Sequence, residues 1–440
     1  MDPTDYQVPE FGTPSRRPGD RWAIWYFLPS PVARELTLEP ATVLALSEAD
    51  AALGYLQGLG HLISDPQLLV GPYVTREALA SSRIEGTQAS LAEVLQAGAG
   101  AEEAGPPSDD VAEVEAYVAA TYRGLELIKT LPVTQRLVLE VHRVLLTGVR
   151  GEDRLPGQLR RSPVWVGSPT DSPDTAVFVP PLPEHLGDLL ADWERFVNEP
   201  AGIPVLVRCA LMHYQFETIH PFLDGNGRIG RLLIGLLLHQ EGRLTTPLLY
   251  LSGYLETHRR EYYERLQAVR ERGEIQQWLQ FFLTAVERQA ADGVDRAGKL
   301  VRLRETYLAD TARSRSRIGE LVALLFANPF VTVRRVERSL NMTNQGARNL
   351  IRDAEARGWL EQFTVRGRGG RWYWVAREIF NIIEAAPTYT RGGMADVSDV
   401  SDVSDTVATV SDARPTGTSA ETPPKSVAAT ANRGGHSGRD

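Results

Sequence analysis

The sequence predicts a mainly α fold, in which a helical bundle carries one small β-hairpin and is followed by a smaller α+β module. Three observations lead to this prediction. Apolar residues recur at three- and four-residue spacing through most of the chain from Pro40 onward. Residues 150–183 instead contain two short β-type runs around a Ser/Pro/Asp turn. Residues 313–377 carry thirteen Arg against five Asp and Glu, a local charge of +8, in a chain whose net charge is -9.

Length and composition restrict the class of protein. A chain of 440 residues exceeds one ordinary hydrophobic core and predicts two or three domains. The single cysteine, Cys209, excludes an intramolecular disulfide framework, and no Cys/His cluster has zinc-ligand spacing, so a reducing cytoplasm is the expected location. No apolar run has the length of a signal peptide core or a membrane span, so no membrane partner is expected.

Shifts in composition and periodicity divide the chain. Pro, Gly and charged residues dominate its start, while Ser, Thr, Val, Asp and Ala with a repeated "DVSD" dominate its end, and neither composition favours a packed core. The predicted parts are a disordered N-terminus (1–20), an N-terminal helical region (21–105), a helical core (106–295), a linker helix (296–315), the α+β module (316–380) and a disordered low-complexity tail (387–440).

Individual elements follow from the same patterns. Within the two helical regions we predict helical structure from Pro40 to Ala97, then helices at Val111–Lys129 and Val133–Thr147, the last beginning just after Pro132. The β-type runs are Val164 to Gly167 and Ala176 to Val179, which predicts a hairpin inside the helical core. Apolar helical patterns resume on both sides of residues 220–231.

The stretch "HPFLDGNGRIGR", residues 220–231, concentrates chemically active side chains on the loop between two apolar helices. Gly225, Asn226 and Gly227 tolerate positive φ and can turn several backbone N–H groups inward, which suits an anion. Arg228 and Arg231 lie three residues apart on one helical face and can bind phosphate oxygens.

Two other side chains complete this chemistry. Asp224 is a hard oxygen ligand beside the anion site, where Mg²⁺ would bridge two phosphates. His220 can remove the proton of an attacking hydroxyl, because an ordinary imidazole is partly neutral at working pH. Each residue alone has a structural explanation, and it is their conjunction within twelve positions that favours polyphosphate chemistry.

These residues resemble, at every specified position, the signature HPFx(D/N)GNGRxGR of the Fic family of nucleotidyl transferases. The resemblance implies a Fic-type helical bundle in which His220 activates a Ser, Thr or Tyr hydroxyl of a target protein for attack on the α-phosphate of ATP. AMP is then transferred and pyrophosphate is released. It further implies that Asp224 holds Mg²⁺ and that the remaining signature residues bind the phosphates of ATP, namely Gly225, Asn226, Gly227, Arg228, Gly230 and Arg231.

The resemblance extends beyond the signature. The first strand of the predicted hairpin, Val164, Trp165, Val166 and Gly167, matches in position the family's flap, which aligns a target segment by strand addition. Tyr262 and Tyr263 in "REYYERL" resemble the family's aromatic pair in the nucleoside pocket, although helix packing explains two tyrosines equally well. Arg270 occupies a further ribose or base contact, where the family often has asparagine instead.

A second motif lies N-terminal to the core. Ser81, Glu85 and Gly86 in "SSRIEGT" place a carboxylate at the end of a helix that a glycine terminates. Given the signature, this resembles the family's inhibitory motif (S/T)xxxE(G/N). The resemblance implies that Glu85 competes with the γ-phosphate for Arg231, so that ATP binds without its α-phosphate in line for attack. A related hypothesis is that Glu85 positions water for removal of AMP from modified targets.

The basic module resembles a winged helix-turn-helix, with helices in "IGELVALLF", "TVRRVERSL" and "NQGARNLIRDAEARG" and strands in "WLEQF" and "RWYWVA". The third helix would present Asn344, Gln345, Arg348 and Arg352 to the major groove of duplex DNA, and the wing would bring Arg366, Arg368 and Arg371 to phosphates. Such modules also serve in dimerisation or target docking, and that alternative stays open.

Three interpretations of the whole chain remain. The leading one is a Mg²⁺-dependent protein adenylyltransferase that uses ATP, modifies proteins including itself, and is inhibited by Glu85. The competing one is a DNA-binding regulator whose autoinhibited core senses nucleotide. Transfer of a different nucleotide is the third, since the residues do not distinguish adenine from uracil. A homodimer is expected from the family resemblance.

Overall fold

A computed structural model describes residues 1–16, 22–62, 67–100, 107–168, 170–199, 202–311, 316–364, 372–387 and 408–410. The described part is mainly helical, as predicted from the apolar periodicity. Within it, no helix combines the length and apolar character needed to cross a membrane.

Fifteen α-helices are found in the described ranges. In chain order they are α1 (Pro40–Leu62), α2 (Gln67–Ile84), α3 (Leu91–Gly100), α4 (Asp109–Leu127), α5 (Gln135–Leu146), α6 (Leu186–Asn198), α7 (Val205–Ile219), α8 (Asn226–Gln240), α9 (Ser252–Thr257), α10 (Arg259–Arg272), α11 (Ile275–Thr311), α12 (Ile318–Ala327), α13 (Val333–Ser339), α14 (Asn344–Ala356) and α15 (Arg377–Glu384). The predicted helices at Val111–Lys129 and Val133–Thr147 correspond to α4 and α5. Each begins at a hydroxyl cap, Ser108 or Thr134, whose oxygen accepts a bond from a backbone N–H of the first turn.

The centre of the bundle is the antiparallel helix pair that flanks the signature. Every residue of α7 from Leu206 to Ile219 is buried, and α8 buries most of its length, because other helices surround both. Trp193 of α6 and Trp278 of α11 are fully buried, and their indole N–H groups donate to backbone carbonyls of α7. The loop between α7 and α8 is therefore held between two rigid, packed helices.

Short strands complete the bundle. β1 (Gly12–Ser15) pairs antiparallel with β2 (Tyr26–Pro29), so the prediction of a disordered N-terminus is wrong for residues 1–16. Apolar contacts explain the order, because Tyr6 packs against Phe27, and the backbone N–H of Gln7 donates to Glu271 of α10. These long-range contacts outweigh a local composition rich in Pro and Gly.

The predicted hairpin in the core is present in a reduced form. β3 (Trp165–Gly167) joins its second arm through one pair of backbone bonds between Val166 and Phe178, at 2.8 and 3.2 Å. The opposite edge of β3 pairs antiparallel with β7 (Ala408–Val410), with Val166 opposite Thr409. Those three residues belong to the tail predicted to be disordered, and the rest of 388–440 lies outside the described residues.

The C-terminal module has the predicted order of helices and strands. β4 (Phe330–Val331), β5 (Glu361–Thr364) and β6 (Trp372–Val375) form a sheet in the order β4-β6-β5, packed with α12, α13 and α14. The helix that precedes the module does not break at the predicted domain boundary. α11 is a single helix of 37 residues, and the expected linker helix 296–315 is its C-terminal part as far as Thr311.

A buried ion network joins this module to α2. Asp292 of α11 lies 2.7 Å from Arg296 and 3.6 Å from Arg76 of α2, and all three side chains are less than a tenth exposed. Arg296 also donates to the carbonyl oxygens of Ile382, Ile383 and Ala385 at the C-terminus of α15, the last at 3.0 Å. The side chain of Asn328 donates to Leu95 of α3 at 2.9 Å. The C-terminal module is thus packed directly against α2 and α3.

Candidate active site

His220 ends α7 in a left-handed backbone conformation, with φ 49° and ψ 61°. For a residue other than glycine this conformation is costly and persists only where its surroundings enforce it. Arg160 does so, because its buried guanidinium donates to the carbonyl oxygens of His220 at 2.8 Å and Ile219 at 3.3 Å. The same side chain donates to Pro181 and Ser162, so it ties the end of α7 to the segments on both sides of the hairpin.

The loop after His220 is closed by two side chains. Asn226 pairs with Phe222 in both directions: its amide oxygen accepts from the Phe222 N–H at 2.8 Å and its amide nitrogen donates to the carbonyl at 2.9 Å. His142 of α5 stacks on Phe222 with ring centroids 3.7 Å apart. The N–H of Gly157 donates to Nδ1 of His142, so Nε2 carries the proton and donates to the carbonyl of Asp224 at 3.0 Å. Asp224 is therefore fixed from its backbone.

The first turn of α8 offers an anion site. Gly225 is the residue before the helix, at φ 79°, a conformation that glycine adopts without a steric penalty. The N–H of Gly225 donates to Asp224 Oδ1 at 2.5 Å, but no described side chain caps the N–H groups of the first turn, so these remain available and the helix dipole favours a negative charge there. Arg228, 5% exposed, bonds Asp224 at 3.2 Å, while its Nε and Nη1 atoms have no partner among the described residues. Both features suit phosphate oxygens.

Arg231 and the motif at the end of α2 meet as predicted. Arg231 Nη2 lies 2.6 Å from Glu85 Oε1, and the two side chains are 1% and 28% exposed. Arg231 Nε also donates to the Ser81 hydroxyl at 2.9 Å, and Nη2 donates to the Ser81 carbonyl at 2.8 Å. A Cβ at Gly227 would collide with the Glu85 carboxylate and the Arg231 guanidinium, so only glycine leaves room for this pair. Gly86 follows in the turn that ends α2.

These groups surround one cleft. Signature residues and hairpin residues meet in this cleft. Its predicted lining residues are Glu85, Val166, His220, Asp224, Gly225, Asn226, Gly227, Arg231, Tyr263 and Arg270, and the others are Phe178, Glu217 and Leu266. Among the predicted flap residues, Val166 lines the cleft, whereas Val164, Trp165 and Gly167 do not. Arg228 and Gly230 lie just outside the lining.

The predicted aromatic pair is split between the cleft and the core. Tyr263 lines the cleft, whereas Tyr262 is fully buried and bonds Nε2 of His213 at 2.7 Å. The prediction that both tyrosines line the pocket is wrong for Tyr262, because adjacent helical residues point about 100° apart. Arg270 lines the cleft, with its guanidinium 4.0 Å from the ring centroid of Phe178 and its Nε donating to Thr218 at 3.1 Å.

The protonation of His220 follows from its surroundings. Burial lowers the pKa of His220 to about 3, and the nearby cations of Arg160 and Arg270 act in the same direction. The imidazole is therefore neutral at any pH near neutrality. A neutral imidazole carries one N–H and leaves its other ring nitrogen as a lone-pair acceptor. That arrangement suits a general base.

Asp224 is the residue that fits a Mg²⁺ ion. Its carboxylate is 31% exposed and faces the cleft beside the uncapped start of α8. No group of three or more His, Cys, Asp or Glu able to hold a metal exists among the described residues. Mg²⁺ commonly takes one or two carboxylates and completes its coordination with water and substrate phosphates, so a single carboxylate beside a phosphate site is compatible with it.

The predicted DNA-contact residues fall into two groups. Asn344, Gln345, Arg348 and Arg352 are all exposed on α14, whose opposite face packs into the module. Arg348 bonds Asn344 at 2.9 Å, so the two side chains form one polar patch. The other three predicted contacts lie outside the described residues, namely Arg366, Arg368 and Arg371.

Three residues at the site escape the sequence patterns. Arg160 and His142 act from 60 and 82 residues away on the backbone around His220 and Asp224, and neither belongs to a motif. Glu217 lies within "FETIHPF", next to the signature, where it reads as one more residue of an apolar helix. A buried carboxylate in an otherwise apolar helix is the signal that could have found it.

The imidazole of His220, the start of α8 and the buried guanidinium of Arg231 share one cleft, and their N–H donors and positive charge suit an anion. Residues 43–126 match the N-terminal domain of the Fic/DOC family, and residues 132–238 match the Fic/DOC family domain.

Characterised relatives share a limited part of the chain. The protein adenylyltransferase Fic of Aedes aegypti is 35% identical over 159 residues, which are 36% of this chain and 28% of the relative. The protein of the same name from Drosophila yakuba is 31% identical over 173 residues, 39% of this chain and 31% of the relative. This chain thus spans less than a third of the length of these relatives.

Solved structures include a Fic family protein from Desulfovibrio desulfuricans G20, at 20% identity and a TM-score of 0.50. The match covers 78% of this chain and 97% of that protein. This similarity establishes a shared fold.

Proposed function

We propose that this chain transfers AMP from ATP to a Ser, Thr or Tyr hydroxyl of a target protein. The observation that carries the proposal is the neutral, buried His220 at the edge of a cleft that also holds the uncapped start of α8 and Arg231. The relatives from Aedes aegypti and Drosophila yakuba carry the name protein adenylyltransferase Fic, which supports the same reaction.

In the proposed reaction the target hydroxyl oxygen attacks the α-phosphorus of ATP and gives its proton to His220. The bond between the α-phosphorus and the bridging oxygen breaks, and pyrophosphate leaves. Arg231 and the N–H groups of the first turn of α8 bind the phosphates and stabilise their charge. Asp224 would hold Mg²⁺, which neutralises charge on the phosphates when it is bound.

The hairpin edge supports target binding by strand addition. β3 already holds one strand of this chain, β7, by antiparallel backbone pairing, and Val166 at the centre of that pairing lines the cleft. A target segment paired in the same way would lie beside His220 with its register fixed by main-chain bonds. Such pairing places little demand on the target's sequence.

Label transfer tests this function. Protein labelled from α-labelled ATP, but not from γ-labelled ATP, is expected when the chain is added to a cell lysate with Mg²⁺. His220→Ala should abolish labelling, while the matched variant His239→Ala, at the far end of α8, should retain it. The four ribonucleoside triphosphates, compared in parallel, identify the base that is used. Labelling that survives His220→Ala would refute the role of His220.

Glu85 is proposed to act as a brake on this reaction. Its ion pair with Arg231 supports the proposal, because the same guanidinium atoms would otherwise bind the γ-phosphate. Glu85 also lines the cleft, which would allow it to orient water for removal of AMP from a modified target. Release of AMP from a labelled target by wild type, and not by Glu85→Ala, is the measurement that would support this second activity.

The C-terminal module is proposed to be a winged helix that binds duplex DNA through α14. The exposed side chains of Asn344, Gln345, Arg348 and Arg352 support this proposal. Binding should weaken as salt rises, and replacing Arg348 or Arg352 with alanine should cost about 1–3 kcal/mol and relax the sequence preference at the base that it contacts. If the gel shift of duplex DNA changes neither with salt nor when both arginines are replaced, α14 does not bind DNA.

A further inference from the structure

Glu217 is a buried carboxylate in the cleft, and one of its two oxygens has no hydrogen-bond partner among the described residues. The residue lies on α7, three positions before His220, and it is 8% exposed. Its Oε1 atom accepts no hydrogen bond within the described part of the chain, and no described Arg, Lys or His forms an ion pair with it. A buried carboxylate is normally paired or hydrogen-bonded, so an unpartnered one at a functional cleft indicates a missing ligand.

The position of the carboxylate is set by α8. A Cβ at Gly230 would lie 2.5 Å from Glu217 Oε1 and 3.2 Å from the ring of His213, so the bare backbone at Gly230 makes the space that Glu217 occupies. His213 does not satisfy Glu217 in this structure, because its Nε2 bonds the hydroxyl of Tyr262 and its Nδ1 makes no hydrogen bond to any described residue. The carboxylate is therefore seated in a fixed place by packing rather than by a polar contact.

The charges around Glu217 restrict what it can bind. Burial and the charge of Glu85 raise the pKa of Glu217 to about 7, although Arg231 and Arg270 act in the opposite direction, so the group is a carboxylate above that pH. A phosphate group would be repelled by this carboxylate, so the phosphates belong to the side of the cleft formed by Arg231 and the start of α8. The groups of a nucleotide that suit a buried carboxylate are its neutral hydrogen-bond donors, which are the ribose hydroxyls and an exocyclic amine.

We propose that Glu217 accepts a hydrogen bond from the nucleoside of the substrate nucleotide, through a ribose hydroxyl or the exocyclic amine of the base. This role rests on the proposed nucleotide-transfer function and makes Glu217 a specificity-determining residue of that site. Its neighbours in the lining support the assignment, since Tyr263, Leu266 and Arg270 offer flat and apolar surfaces suited to a nucleoside.

Binding measured without turnover tests this role separately from transfer. In the His220→Ala background, calorimetry compares ATP with 2′-deoxyATP, 3′-deoxyATP and purine riboside triphosphate, which lacks the amine. We expect one analogue to bind about 10- to 100-fold more weakly than ATP. Adding Glu217→Ala should abolish that difference, and Glu217→Gln, which keeps an acceptor oxygen, should retain part of it.

The outcomes distinguish the two proposals. The role of Glu217 is overturned if the affinity difference between ATP and the analogues is the same with and without Glu217→Ala. It is also overturned if ATP and the analogues bind equally well to both proteins. Either result leaves the proposed transferase function intact. No binding of ATP at all would overturn the proposed function together with this role.

Thermal unfolding separates recognition from a structural role. Removing an unpartnered buried carboxylate should leave the Tm equal to or above that of the parent. Glu113 is the matched control, because it is 4% exposed but is bonded to Thr87 at 2.9 Å and to Arg150 at 2.6 Å, so Glu113→Ala should lower the Tm. If Glu217→Ala lowers the Tm as much as Glu113→Ala does, Glu217 is a structural residue and the proposal fails.

Discussion

Replacing Glu85 with glycine should raise AMP transfer by about 10- to 100-fold. The substitution removes the 2.6 Å contact between Glu85 Oε1 and Arg231 Nη2 but leaves both bonds from Arg231 to Ser81. Arg231 therefore stays in place with one donor released. A hydrogen bond to a charged group contributes about 1.5–3 kcal/mol, and each 1.4 kcal/mol is a tenfold change in the fraction of molecules whose Arg231 can bind phosphate.

Incorporation of α-labelled ATP into protein, followed over time, measures this change. Glu85→Gln keeps an acceptor without the charge and should fall between wild type and Glu85→Gly. The control is Asp295→Asn, which removes an exposed ion pair of the same 2.6 Å length, with Lys299 on α11, and should leave the rate unchanged. Equal rates for wild type and Glu85→Gly would refute the reasoning that the ion pair limits transfer.

Other predictions follow from the same geometry. Because the pKa of His220 is lowered to about 3, its base form is retained as pH falls, so kcat should show no loss centred near pH 6.5; such a loss would mean that the imidazole titrates normally. Arg160→Met should lower kcat at least tenfold with little change in KM for ATP, since it frees the backbone of His220; an unchanged kcat would show that the left-handed conformation does not need Arg160. Gly227→Ala should lower transfer about tenfold or more even when combined with Glu85→Gly, and full activity of that double variant would show that the helix start tolerates a Cβ.

The sequence predicts the site wherever its residues are adjacent along the chain. The twelve-residue signature and the motif around Glu85 were identified without coordinates, and the structure brings Glu85 and Arg231 into contact across 146 residues. The role of Arg160 was not predicted, because it depends on a hydrogen bond to the backbone of His220 that no local sequence pattern indicates. Tyr262 was misassigned because residue spacing gives the angle between two side chains on a helix, but it does not tell which side of the helix faces the cleft.

The fold shows the same limit. Helix periodicity predicted α4 and α5 to within two residues at each end, because amphipathic patterns and caps are local. The N-terminal strand β1 was missed because its partner β2 and the helix that it rests on are supplied by distant segments. Composition alone therefore underestimates order when a segment is held by tertiary contacts.

Buried charges link α2, α11 and α15, so the N-terminal helices and the C-terminal end of the described bundle share one polar network. Cutting the chain after α11 would deprive Arg296 of three carbonyl acceptors and open Asp292 and Arg76 to water, a few turns from the contact between Glu85 and Arg231. In an isolated N-terminal fragment, α2, which carries the proposed inhibitory residue Glu85, would therefore lose buried polar contacts that stabilise its position. Because α12 contacts both α14 and α2, a ligand of α14 would bind only two helix contacts away from the proposed brake at Glu85.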